Sequence, residues 1–272
     1  MKNYWMNRKV LITGINGFVG SNLAKSLVRK GAIIFGLIRN SNPKTLLFYE
    51  NINDRITLIN GSITKLSLLK RIIVEEGIQN IFHLAAQVEV GIARKYPYVT
   101  METNIRGTYT LLESISSSSN QIESIIIASS DKAYGTYPKD KLPYRENYPL
   151  KAEHPYDVSK ACADMISNTF SKEPFNLPIL ITRFSNIYGP GQLNFSALIP
   201  DCIRAALGFG KFVPRTNGNH YRDFLFIDDV IKLYLKMSES ISESKLLRGE
   251  VFNAGSNKPI NIKSLIFKIF KI

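Results

Sequence analysis

The chain predicts an α/β fold, a doubly wound parallel sheet with a smaller C-terminal region. Three observations carry that prediction. Short apolar runs alternate with helix-like stretches over the first 184 residues. The runs are apolar throughout, as strands are when a sheet is covered on both faces. A glycine-rich turn, with Gly14, Gly17 and Gly20, joins the first run to the first helix-like stretch. The 272 residues, 44% hydrophobic and 21% charged, suit one large domain with an appendage.

The elements follow in order. Lys9 to Thr13 reads as a strand, and Phe18 to Lys30 as a helix closed by Gly31. Ala32 to Ile38 and Ile56 to Asn60 are the next strands, followed by a helix from Lys65 to Glu76. Ile78 to Leu84 is the fourth strand, and a long helix covers Tyr98 to Ile115. The polar run Ser116 to Asn120 reads as a loop before the fifth strand, Ile122 to Ser129. Pro155 to Phe170 is a helix with proline in its first turn, and Leu177 to Phe184 is the sixth strand. Residues 185–220 are rich in Gly, Pro and Asn and read as loops and short helices able to cover a ligand. The expected division is a dinucleotide-binding domain over 1–184 and a mainly substrate-binding region over 185–272, with segments returning to the first domain.

Several classes are set aside. No run of about 18 apolar residues is present, so no membrane span is expected. Met1 to Trp5 lacks the apolar stretch of a signal peptide, so a cytoplasmic location is expected. Cys162 and Cys202 suggest no disulfide framework, and Cys162 is expected as a buried free thiol on its helix. The net charge of +13 comes from scattered lysines without a dense basic run. That favours an anionic small ligand over nucleic acid. No metal site is expected.

The turn Thr13-Gly14-Ile15-Asn16-Gly17-Phe18-Val19-Gly20 lies between a strand and a helix. Small residues let the backbone approach a diphosphate, and the helix aims its N-terminal N–H groups at the charge, as in a Rossmann-type fold. Asn16, Phe18 and Val19 border that approach. An acid at the end of the second strand would favour NAD; Arg39 there suits a 2′-phosphate and favours NADP. Tyr156 and Lys160, four apart on a helix, share a face. A neighbouring ammonium favours the phenolate of a tyrosine base. Ser130, at the end of the fifth strand, can share the proton of a substrate hydroxyl.

These residues are similar to the extended short-chain dehydrogenase/reductase family, in its nucleotide-sugar epimerase/dehydratase branch. The resemblance spans nearly the whole chain. It runs through the glycine turn, Phe82 to Gln87, Thr103 to Thr108, Ser130, Tyr156 and Lys160. It continues in Arg183 to Gly191, Arg222-Asp223-Phe224 and Phe252 to Gly255. It implies that Tyr156 acts at the sugar 4-hydroxyl and that Lys160 binds the nicotinamide ribose. Leu84, Ala85 and Ala86 would border the cofactor, with Ser62 and Ile63 near the adenine. The acid usual at position 62 is replaced by serine. Gln87, Ser130, Asn186, Asn194 and Arg222 would meet the nucleotide-diphosphate sugar. Asn104 would be structural. A homodimer through the helices beginning near Tyr98 and Pro155 is implied.

A 4-epimerase of this family needs no proton-handling pair after the strand serine. A 4,6-dehydratase needs two further groups, one to remove the C5 proton and one to protonate the departing C6 hydroxyl. Asp131 and Lys132 fill those positions and resemble the CDP-glucose 4,6-dehydratase type and the inverting dehydratases of UDP-N-acetylglucosamine, with the 26-residue spacing from Ser130 to Tyr156 suiting the former better; Gly36 to Asn40 is instead similar to the GDP-mannose 4,6-dehydratase type. The expected activity is therefore a nucleotide-sugar 4,6-dehydratase, with Asp131 as the acid and Lys132 as base or charge stabiliser. A 4-epimerase and a nucleotide-sensing module without turnover are the alternatives. Relatives continue for several tens of residues beyond Asn261-Ile262, so a truncated C-terminal region is expected.

Overall fold

The computed structural model describes residues 3–118 and 122–271. Residues 119 and 120 of the expected polar loop lie outside them. The elements are β1 (Lys9–Thr13), α1 (Phe18–Arg29), β2 (Ile33–Ile38), α2 (Leu46–Tyr49), β3 (Thr57–Asn60), α3 (Leu66–Glu75) and β4 (Asn80–His83). Then come α4 (Val90–Lys95), α5 (Pro97–Met101), a π turn over Glu102–Arg106, α6 (Gly107–Ser116), β5 (Ser124–Ala128), α7 (Pro155–Phe170), β6 (Ile179–Phe184) and β7 (Asn186–Tyr188). The chain continues through α8 (Leu198–Ala206), β8 (Tyr221–Arg222), β9 (Phe224–Phe226), α9 (Ile227–Glu243), β10 (Val251–Ala254), β11 (Ile260–Asn261) and α10 (Ile262–Phe270).

Seven strands form one parallel sheet in the order β10-β6-β5-β4-β1-β2-β3. The order reverses between β1 and β4, and ligands of such sheets bind outside the strand carboxyl ends at that point. Side chains alternate across each strand and feed two cores. Val10, Ile12, Ile34, Phe82, Ile126 and Leu180 pack against Leu23 and Leu27 of α1 and Val230, Ile231 and Tyr234 of α9. Leu11, Leu37, Ile81, Ile125, Ile127 and Ile181 pack against Leu69 and Ile72 of α3 and Leu111 and Ile115 of α6. Burying a side chain of this size contributes about 1.5–3 kcal/mol.

The C-terminal region does not stand apart. Its α9 covers one face of the sheet, and β10 pairs with β6 in register from Val251↔Ile181 to Ala254↔Phe184. Outside this sheet, two small ladders, β7 with β9 and β8 with the late strand β11, flank the loops of 189–220. The long helix expected over 98–115 is present, and the π turn at Glu102–Arg106 interrupts it. Cys162 lies on α7 as expected, and it is half-exposed; Cys202 is the fully buried thiol.

Candidate active site

The carboxyl ends of β1, β2, β4, β5 and β6 open on a cleft of about 640 Å³. The three turn glycines do different work. Gly14 has φ +73, and a Cβ there would stand 2.7 Å from the Ala85 nitrogen. A Cβ on Gly20 would strike the Gly14 carbonyl oxygen at 2.3 Å, so this glycine lets α1 pack on β1. Gly17 meets only that same oxygen, at 3.2 Å, and lines the cleft as the extended residue before α1. No side chain caps α1, so its first N–H groups and its dipole face the cleft. An open backbone cradle at a helix N-terminus fits a dinucleotide diphosphate.

The rest of the cleft agrees with that fit. Asn16, Phe18, Val19, Arg39, Ser62, Ile63, Leu84, Ala85 and Ala86 all line it. Asn16 donates to the Asn40 carbonyl at 3.1 Å and is bonded by the Thr45 hydroxyl, which fastens the β2–α2 loop over the glycine turn. Arg39 is exposed just past β2. Ser62 shares a 2.8 Å hydrogen bond with Thr64. Two buried hydroxyls of cleft residues, Ser129 Oγ and Ser185 Oγ, have no partner among the described residues.

At the far end of the cleft stand Ser130, Asp131, Lys132, Tyr156 and Lys160. Ser130 caps the short 3-10 turn Asp131–Tyr134, with its Oγ accepting from the Lys132 N–H at 3.2 Å. That turn puts the carboxylate and the ammonium on the cleft. Lys160 is buried, and its Nζ donates to the Ala128 carbonyl at 2.7 Å. Burial pushes its ammonium down to about 8. Burial also pushes the Tyr156 phenol well above its ordinary range; the Ser130 hydrogen bond opposes this, and Asp131 and Asp157 add to it. Lys160 is not among the groups that shift this phenol; burial dominates, and the ammonium is directed to the Ala128 carbonyl.

The candidate substrate residues divide. Asn186 lines both the cleft and an adjoining cavity of about 380 Å³, and its amide donates to the Asp223 carbonyl at 3.2 Å. Asn194 lines the cleft, while its Oδ1 accepts from the Ser196 N–H and hydroxyl. Arg222, exposed on β8, lines only the adjoining cavity. Gln87 lines neither of these two spaces. Its carboxamide donates to the Glu89 carbonyl at 3.2 Å and accepts from Thr100 at 3.1 Å, which holds the turn after β4 against α5.

One charged group was missed from the sequence. Asp157 follows Tyr156 on the first turn of α7, and burial raises its carboxyl, opposed by Lys132 and His154 and reinforced by Asp131. Its adjacency to Tyr156 in Pro155-Tyr156-Asp157 was the available signal. Tyr234 of α9 also lines the cleft, more than 70 residues away in the chain, and no local pattern announces it.

Residues 11–271 match the model of the family described as GDP-mannose 4,6 dehydratase. A CDP-glucose 4,6-dehydratase from Salmonella typhimurium is 32% identical over 213 residues, covering 75% of this chain and 59% of the relative. The chain thus spans less than two thirds of that relative's length. Among solved structures, a dTDP-glucose 4,6-dehydratase from Streptomyces venezuelae with NAD bound superposes with TM-score 0.84 at 25% identity, covering 97% of this chain and 80% of the other. A UDP-glucose 4-epimerase from Thermotoga maritima with UDP-glucose gives TM-score 0.84 at 26% identity, covering 97% and 82%. The glycine cradle, the strand-end serine and the Tyr156–Lys160 helix thus sit in a chain matched almost from end to end, and it belongs to the GDP-mannose 4,6-dehydratase family.

Proposed function

We propose that the protein is a nucleotide-sugar 4,6-dehydratase that forms a 4-keto-6-deoxy sugar. The observation that carries this is the Ser130-Asp131-Lys132 turn, which lines the same cleft as Tyr156 and the dinucleotide cradle. Bound there, a nicotinamide dinucleotide supplies a hydride acceptor for the sugar C4 and a hydride donor for C6. Gly14, Gly17 and the N-terminus of α1 hold its diphosphate, and Lys160 holds the nicotinamide ribose. Arg39 at the cleft favours NADP over NAD.

Ionised as the phenolate, Tyr156 Oη takes the proton of the sugar 4-hydroxyl and becomes the phenol, with Ser130 Oγ in the same hydrogen bond. Lys132 Nζ, as the free amine, removes the C5 proton, or, as the ammonium, stabilises the enolate while another group takes that proton. Asp131 protonates the departing C6 hydroxyl, which leaves as water. Asn186, Asn194 and Arg222 hold the nucleotide diphosphate. An epimerase needs only the first of these steps, so the acid–lysine pair argues for dehydration.

A panel of CDP-, GDP-, UDP- and dTDP-sugars tests the reading. A 4-keto-6-deoxy product carrying solvent deuterium at C5 is expected. Products that are C4 epimers alone overturn it.

The protein works as a homodimer in this reading. Tyr98, Val99, Tyr109 and Met165 expose large apolar surface on the neighbouring helices α5, α6 and α7, as an interface between copies requires. Light scattering with a monomer mass counts against it.

A further inference from the structure

His83, at the end of β4, is buried and is used by none of the steps above. Its Nδ1 lies 2.8 Å from Thr13 Oγ1, and its Nε2 lies 3.0 Å from Thr108 Oγ1. The neighbours fix which nitrogen bears the proton. Thr108 donates its hydroxyl hydrogen to the Asn104 carbonyl at 2.6 Å. A hydroxyl has one hydrogen, so toward His83 it can only accept. Nε2 therefore carries the hydrogen, Nδ1 is an acceptor, and Thr13 donates to it. The Thr13 oxygen in turn accepts the Ala85 N–H at 3.3 Å.

Each end of this chain of bonds reaches a working part. Ala85 is the backbone against which Gly14 is pressed. Asn104 lies in the π turn, and its side chain clasps the Gln87 backbone through bonds of 2.7 and 3.0 Å. It also donates to Ser159 Oγ at 2.8 Å, and Ser159 donates to the Tyr156 carbonyl at 2.7 Å.

We propose that His83, locked as the neutral Nε2–H tautomer, is a positioning residue that sets the height of the glycine cradle relative to the helix turn of Tyr156. An imidazolium would break the arrangement, because Thr13 would then face donors on both sides and its own hydrogen would lose its acceptor. Burial first, and then the Lys160 ammonium, act against that form and push the imidazole down to about 3. The positioning of Tyr156 rests on the function proposed above; the tautomer and the cradle do not.

The chain has three histidines, so 15N-histidine labelling resolves the ring directly. In two-bond 15N–1H spectra, one ring is expected to show the Nε2–H pattern and no titration between about pH 5 and 8, where an ordinary histidine titrates. That ring is identified by its persistence in His154→Gln and His220→Gln. An Nδ1–H pattern, or titration of that ring in this range, overturns the proposal.

Thr108→Val keeps the shape and removes the acceptor, while Thr108→Ser keeps it. The valine protein is expected to bind NADH and NADPH about tenfold more weakly, with the serine protein near the parent, because displaced cradle groups forfeit binding geometry. Equal dinucleotide binding by both variants sinks the positioning role whatever the sugar panel shows.

Discussion

The two ends of the same strands are built to opposite purposes. At the amino end, side chains bond across separate elements, although Asn80 Oδ1 is itself buried without a partner among the described residues. Asn80, opening β4, donates to Tyr4 Oη at 3.1 Å and to Ser124 Oγ at 2.8 Å, and Ser124 pairs with Ser238 of α9. Trp5 Nε1 donates to Glu239 at 2.6 Å, and Arg8 pairs with Glu123. At the carboxyl end, Ser129 and Ser185 keep hydroxyls without partners among the described residues, and Lys160 is buried as a cation held by a single carbonyl. Unmade bonds and an uncompensated charge lower stability. The lesson is that β5 is fastened at one end and held ready at the other.

Breaking each end should therefore give different losses. Tyr156→Phe should lower kcat by about 10²–10⁴, the usual range for a lost proton-transfer group, and leave the melting temperature near the parent's. A comparable fall in Tm would erase the distinction. Lys160→Met addresses the cost of readiness. The folded chain releases this proton near pH 8, whereas the unfolded lysine holds it to about 10.5. Stability should thus rise with pH across that window, by at most about 3 kcal/mol, and the methionine variant should lose that rise in urea titrations.

Asp131→Asn should slow release of water about a hundredfold while exchange at C4 continues. Lys132→Arg sharpens the pair. An arginine keeps the charge but cannot accept a proton, so retained turnover assigns charge stabilisation and lost turnover assigns the base. At the other end, Asn80→Ala should cost about 1–3 kcal/mol in chemical denaturation and leave kinetics alone. A changed kcat in that variant would mean the ends are coupled through the strands.

Most of the sheet was legible because its signals are local. Apolar runs bounded by polar residues located the strands of the sheet as far as β6, and Gly14 to Gly20 located the cradle. Single positions were less so. Gln87 reads as a site residue from its place after Ala85-Ala86, yet its side chain turns to Glu89 and Thr100. The π turn was invisible because one added residue in a helix leaves the apolar pattern nearly unchanged. Asp157 stood beside a named residue, but its electrostatic neighbours come from separate elements. Tyr234 and β10 reach the site region from late in the chain, where contacts depend on tertiary packing rather than periodicity.

That late arrival has a consequence for how the substrate loops are held. Residues 189–220 lie between β7 and β8, in a stretch that leaves the seven-stranded sheet after β6 and returns to it through α9, which packs on its face, and β10, which pairs with β6. They form an excursion tethered at both ends to one rigid sheet. Closing such a loop costs little more as it lengthens, about 0.6 kcal/mol per doubling. The excursion can therefore take up insertions and exchanges that reshape the adjoining cavity while the strand register, and with it the glycine cradle, stays put.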